Sequence, residues 1–128
     1  MVSVVGSKRN VLFLVADDLR PNLETYSSAN SKYYKTPPMH TPNLDALAQD
    51  SIIFAHAYSQ IALCGPSRTS VLTGRRPDTT RVTDNDLYFR NVGSNFTTIP
   101  EFFKDHGYHT IGGGKVFHVN FGKASGWN

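Results

Sequence analysis

Cysteine is almost missing. Cys64 stands alone among 128 residues, which excludes a disulfide framework within the chain and leaves the redox compartment open. Long apolar runs are missing as well. The longest, VLFLVA at Val11–Ala16, falls far short of the roughly 20 residues that a membrane helix needs, so no membrane-embedded chain is expected. The opening MVSVVGSKRN has no apolar core of leader length and does not read as a secretory signal. Charge of one sign is not in excess: 13 Lys and Arg against 10 Asp and Glu give a formal net charge of +3. That allows an anionic substrate but is too weak to argue for nucleic acid, and no base-stacking signature accompanies it. Internal repeats and low-complexity stretches are also lacking.

What is present is an apolar fraction of 39% and an aromatic fraction of 12%, fitting a globular chain with a modest core. The unbroken apolar run at Val11–Ala16, closed by Asp17 and Asp18, predicts a strand buried on both faces. Leu19 to His40, rich in Ser, Asn, Pro and Tyr, predicts a long loop. TPNLDALAQDS predicts a helix: Thr41 as cap, Pro42 in the first turn, and Leu44, Leu47 and Ala48 as an apolar stripe. IIFAHAYS predicts a second strand. PSRTSVLTG predicts a short helix, opened by Pro66 and stopped by Gly74. Arg75 to Asn95 reads as irregular. Thr98 and Glu101 have capping-box spacing, with Gly107 as the helix stop. YHTIGGGKVFH predicts a strand running into a glycine turn, and the tail VNFGKASGWN reads as irregular. Strands alternating with helices argue for an α/β class.

Three groups of residues are candidates for chemistry. Asp17 and Asp18 are adjacent carboxylates at a predicted strand end, where α/β sheets bind ligands. They repel unless a positive partner is near, and a hard divalent cation meets that need. A turn with one capping and one solvated Asp is the plain alternative. Cys64 precedes a predicted helix start, where backbone N–H groups and the helix dipole favour anions, and Arg68 lies one turn further on. A small buried hydrophobe is the alternative there. Lys115 and His118 follow three glycines that let a ligand approach closely. Lys supplies a point charge, and His can move a proton near neutral pH. Two exposed polar residues on a turn would look the same. His106, within DHG, reads as a last-turn residue and not a metal ligand. His40, His56 and His109 have no partner at metal spacing.

Taken together, CGPSRTSVLTGRR resembles the sulfatase signature Cys-X-Pro-Ser-Arg followed by Leu-Thr-Gly, and NVLFLVADDLRP resembles the first strand and metal-binding aspartates of that family. TGRRPDTTRV, NFTTIPEFFKDHGY and GKVFH resemble, more narrowly, sulfatases that remove the 2-O-sulfate of iduronate in heparan or dermatan sulfate. The resemblance runs from about Arg9 to His118, in the family's motif order. It implies an alkaline-phosphatase-like α/β domain with a mixed or parallel central sheet and flanking helices. Residues 10–128 would be the N-terminal segment of one such domain, incomplete here, with 1–9 irregular ahead of it.

The resemblance also implies a site. Cys64 would be oxidised to formylglycine by a formylglycine-generating enzyme that reads Cys64, Pro66 and Arg68. The hydrated aldehyde offers one hydroxyl to attack sulfur and a second to expel sulfate, an exit that a plain serine lacks. Asp17, Asp18 and the converted residue 64 would bind Ca²⁺. Arg68 would hold the formylglycine hydroxyl, and Lys115 and His118 would contact sulfate, with acid–base duty open to His118. The substrate would be a sulfated glycosaminoglycan or another sulfate ester, in a lysosomal or secreted setting. Asn95-Phe96-Thr97 would then be an N-glycosylation acceptor.

The departures are specific. The family's second Asp-His metal pair, a further His and a further Lys are not among these residues, and Gly-Cys-Tyr-Gly is missing from the 24–40 loop. The segment by itself is therefore expected to be inactive and to expose apolar surface. The competing readings are a choline or aryl sulfatase, and phosphatase-like hydrolysis by an unmodified Cys64. A third is a non-catalytic piece that binds sulfated polyanions through Arg75, Arg76, Arg81 and Arg90.

Overall fold

The computed structural model describes residues 8–27 and 37–118. The tail from Val119 predicted to be irregular, much of the loop predicted between Leu19 and His40, and most of the predicted irregular stretch 1–9 lie outside the described residues. The chain divides into two units, Met1–His56 and Ala57–Asn128, each described by itself.

In the first unit a 3-10 turn at Glu24–Tyr26 packs against helix α1, Pro42–Gln49. Pro42 starts α1 where a missing N–H costs nothing. Thr41 occupies the cap position but does not cap with its side chain. Its hydroxyl donates instead to the Asp45 carboxylate, at 3.1 and 3.2 Å, and accepts from the Glu24 N–H at 3.4 Å. The predicted stripe is not buried: Leu44 and Leu47 are exposed, and Ala48 is half-buried.

Neither predicted strand of this region forms. Among the described residues no strand is present, so the predicted sheet is not seen. The side chains of Val11 to Val15 are 59% to 82% exposed, and Ile52 to Phe54 are exposed too. The reason is physical. A strand acquires its ladder from a neighbour distant in sequence, and an apolar run specifies burial without supplying that neighbour. At the end of the first run the chain turns sharply, with Asp18 at φ 51°. This left-handed conformation is disfavoured for most L-residues but tolerated by Asp.

The second unit holds α2 (Cys64–Thr73), α3 (Pro77–Thr80), α4 (Phe89–Val92) and α5 (Ile99–Asp105). Helices α3 and α4 correct the expectation that Arg75 to Asn95 is irregular throughout, being single turns too short to show an apolar period. Helix α2 packs against α3 and α5. It starts two residues earlier than predicted, with Leu63 extended at the cap position and Pro66 inside the first turn. Gly74 ends it in the left-handed region, φ 64°, its N–H donating to the Ser70 carbonyl at 2.9 Å. The buried face of α2 includes Gly65, Pro66, Thr69, Ser70 and Thr73, with Leu72 its one large aliphatic. Thr73 satisfies its hydroxyl on the Thr69 carbonyl at 2.7 Å.

The core of this unit is small and aromatic. Phe89 is fully buried. It stacks on Phe117 with centroids 6.0 Å apart and on Phe96 at 6.5 Å, and meets Tyr88 edge-on at 5.0 Å. Val82 is fully buried as well. The predicted capping box forms as expected. The Thr98 hydroxyl accepts from the Glu101 N–H, while Glu101 Oε2 accepts from the Thr98 N–H at 2.7 Å. Gly107 follows α5 with φ 78°. The strand predicted to lead into the glycine turn of YHTIGGGKVFH does not form, and this stretch is irregular, with Gly114 in a bend.

Candidate functional site

Cys64 is the first residue of α2 and is half-buried. The helix starts there because Leu63 is extended and its carbonyl takes the Ser67 N–H at 3.1 Å, closing the first turn over Pro66. Two of the positions expected to present bare N–H groups do not. Pro66 has none, and the Gly65 N–H donates to Asn85 Oδ1 at 2.8 Å. The expectation that the helix start offers a row of unpaired donors is corrected on this point.

Arg68 lies one turn beyond Cys64 and is half-buried. Its Nη1 donates to the Lys115 carbonyl and, at 3.4 Å, to the Val116 carbonyl. A side chain from α2 therefore grips the backbone of the stretch that carries Lys115 and His118. That stretch is pinned a second time by Phe117, packed between Tyr88 at 5.9 Å and Phe89 at 6.0 Å. Gly114, at φ 73°, makes the turn just before it. Lys115 and His118 are both half-buried. Among the described residues the His118 Nδ1 is buried with no hydrogen-bond partner, an arrangement uncommon for a buried polar atom.

Asp17 and Asp18 belong to the first unit, exposed on the turn after the apolar run. Their carboxylates are hard oxygen donors of the kind Ca²⁺ takes, so the donor chemistry fits that ion. An exposed turn with a positive-φ aspartate is the sort of backbone outlier that marks ligand sites.

The four arginines considered for polyanion binding do not behave alike. Arg90 is committed internally, with Nη2 2.7 Å from Glu101 Oε1 and its guanidinium 4.8 Å from the Phe89 ring. Its side chain is only 18% exposed, so it leaves the set. Arg75, Arg76 and Arg81 remain exposed. Burial tends to raise the Glu101 carboxyl. The Thr98 N–H and hydroxyl and the Arg90 guanidinium outweigh it and hold this group below its ordinary value. His106 behaves as a helix-end residue: its Nδ1 is 2.7 Å from the Phe102 carbonyl. Asn85 is the residue near Cys64 that the sequence did not point to. DND reads as an ordinary polar turn, and only its packing against Gly65 reveals the contact.

Residues 9–128 match the family model described as Sulfatase. The chain is 49% identical over 109 residues to an iduronate 2-sulfatase of Homo sapiens, a match covering 85% of this chain and 18% of the human protein. It is 37% identical over 109 residues to an ulvan-active sulfatase of Formosa agariphila, covering 85% and 19%. It is 33% identical over 115 residues to a choline-sulfatase of Rhizobium meliloti, covering 88% and 20%. The chain thus spans about a fifth of the length of these relatives. Among the described residues no helix is long and apolar enough to cross a membrane.

Proposed function

The chain belongs to the sulfatase family, and on that premise we propose that it carries the nucleophile-bearing segment of a sulfuric-ester hydrolase. Iduronate 2-sulfate units of heparan or dermatan sulfate are the proposed substrate. The observation that carries the reading is the grip of Arg68 on the carbonyls of Lys115 and Val116. It ties the Cys64 helix to the backbone of the Lys115–Val116 stretch, which supports a site in which cationic and proton-moving groups serve the nucleophile. The substrate choice is supported by the higher identity to iduronate 2-sulfatase, 49%, than to choline-sulfatase, 33%. The domain built around the segment is the alkaline-phosphatase-like α/β fold of that family.

Cys64 is the residue converted by the formylglycine-generating enzyme, which reads Cys64, Pro66 and Arg68. Once formed, formylglycine supplies paired hydroxyls on one carbon, a nucleophile together with an exit for sulfate. Asp17, Asp18 and the converted residue 64 would hold Ca²⁺, which would supply positive charge for the sulfate. Arg68 neutralises negative charge next to residue 64 and fixes the Lys115 backbone. Lys115 places a point charge against the sulfate oxygens. His118 holds or moves a proton on its imidazole, whose Nδ1 is buried with no partner among the described residues. Asn95 is exposed and serves as the glycan acceptor of an enzyme on the secretory route, lysosomal or secreted.

The test exchanges residues 9–118 into human iduronate 2-sulfatase and coexpresses the chimera with the formylglycine-generating enzyme. The residue 64 peptide is then examined by mass spectrometry. Conversion at residue 64, turnover of a fluorogenic iduronate 2-sulfate, and loss of that turnover on Ca²⁺ chelation or Cys64→Ala are expected. Residues 1–128 by themselves are expected to give no turnover, because Asp17, Asp18 and residue 64 are too few for an ion that takes roughly six to eight oxygens. An active chimera with only thiol at residue 64 would replace this reading with unmodified-cysteine chemistry. Faster turnover of choline sulfate would move the substrate.

A further inference from the structure

The reactive residue of α2 has a neighbour that neither the signature nor the grip of Arg68 accounts for. Asn85 Oδ1 accepts the Gly65 N–H at 2.8 Å, one residue from Cys64. The fit around that contact is close. A Cβ on Gly65 would lie 2.8 Å from the Asp84 carbonyl oxygen and 3.1 Å from Asn85 Oδ1. The 84–85 backbone is therefore a wall against which the first turn of α2 rests. Asn85 itself is held: Asp84 Oδ1 accepts the Asp86 N–H at 2.9 Å, closing a turn around it. The segment is strung between two fully buried anchors, Val82 and Phe89.

Building on the proposed function, we infer that Asn85 is a positioning residue for residue 64. It fixes the peptide that follows the nucleophile, and through it the direction in which the side chain of residue 64 leaves the helix. It touches neither substrate nor metal. Its acceptor occupies a backbone donor that a sulfate would otherwise compete for at the helix start, so the anion is directed to side-chain cations. A nucleophile mispointed by a fraction of an ångström loses rate, not ground-state affinity.

The experiment compares Asn85→Ala, which removes the acceptor, with Asn85→Asp, which retains an oxygen at that place. Both are made in the chimera described above and assayed with fluorogenic iduronate 2-sulfate, with formylglycine occupancy measured in each. Asn85 lies outside the Cys64, Pro66, Arg68 recognition set, so occupancy should equal the parent's. Asn85→Ala should lower kcat per converted enzyme roughly 3- to 10-fold, the scale of one neutral hydrogen bond, with KM within about twofold. Asn85→Asp should recover most of that loss. Its pH–rate profile should move to higher pH, since a carboxylate beside residue 64 disfavours ionising the nucleophile.

Asp84→Ala, which only loosens the turn at an exposed side chain, should lower kcat in the same direction and less. It serves as the test if Asn85→Ala fails to fold. An unchanged kcat in Asn85→Ala, equal loss in the Ala and Asp variants, or an unchanged kcat in Asp84→Ala would each overturn the inference. An inactive parent chimera would instead count against the proposed function itself.

Discussion

Gly65 shows how one residue can be fixed by what surrounds it. In sequence it is the variable position of a Cys-X-Pro-Ser-Arg motif. In space a methyl group there would meet the Asp84 carbonyl oxygen at 2.8 Å and the Asn85 Cα at 3.1 Å. Both are backbone atoms that cannot swing aside, so the helix start must move. Gly65→Ala is expected to destabilise the protein by about 1–3 kcal/mol, the usual scale for overpacking. Denaturant unfolding of the parent and variant chimeras would measure this, and equal midpoints would show that the 84–85 wall yields. His118 makes the complementary point. Its type and spacing mark it as a candidate in the sequence, but that its Nδ1 is buried without a partner among the described residues is known only from the structure.

Helix α5 carries a device that the sequence spells out and the structure extends. Thr98 and Glu101 form the capping box within one turn. The Glu101 carboxylate also binds Arg90 at 2.7 Å, tying α5 to α4. The Glu101 carboxyl stands below its ordinary value of 4.5. A carboxyl depressed on folding contributes stability above the unfolded value and loses it as pH falls through the lower folded value. Replacing Glu101 with Gln should therefore destabilise the protein at neutral pH. The gap between parent and Glu101→Gln should close as pH drops from the ordinary carboxylate range through the depressed folded value. Thermal midpoints of the two proteins across that range would measure it; a gap independent of pH would mean that the carboxylate charge is not what matters. Arg90 belongs to this device at the element scale, which is why it is lost to any polyanion surface.

At the scale of the whole molecule, most large apolar side chains are outside. Only Leu72, Val82 and Phe89 form the buried hydrophobic core of the described residues, while Leu12, Leu14, Ile52 and Phe54 are among those left exposed. Apolar surface on that scale is an aggregation liability unless something covers it. Residues 1–128 expressed alone should bind a hydrophobic dye such as ANS strongly, and Leu12→Ser with Phe54→Ser should reduce both dye binding and aggregation. Weak dye binding by the parent would show that these segments are covered in solution.

What the sequence determined by itself is local. The capping box of α5, the proline at the start of α1 and the glycine stop of α2 rest on contacts within a few residues, which is why they are legible in one dimension. The motif residues Asp17, Asp18, Cys64, Arg68, Lys115 and His118 are legible for the same reason, as identities at fixed spacing. The tertiary structure decided what spacing does not encode. It placed a face of Thr69, Ser70 and Thr73 inside α2, where hydroxyl side chains give no apolar period to read. It joined Arg68 to backbone carbonyls 47 and 48 residues away and set Asn85 against Gly65 across 20. It left the runs at Val11–Ala16 and Ile52–Phe54 without a ladder. The physical reason is common to all of these: a helix closes its hydrogen bonds on its own chain within four residues, whereas strands, clasps and buried polar faces exist only through partners that the chain brings in from afar.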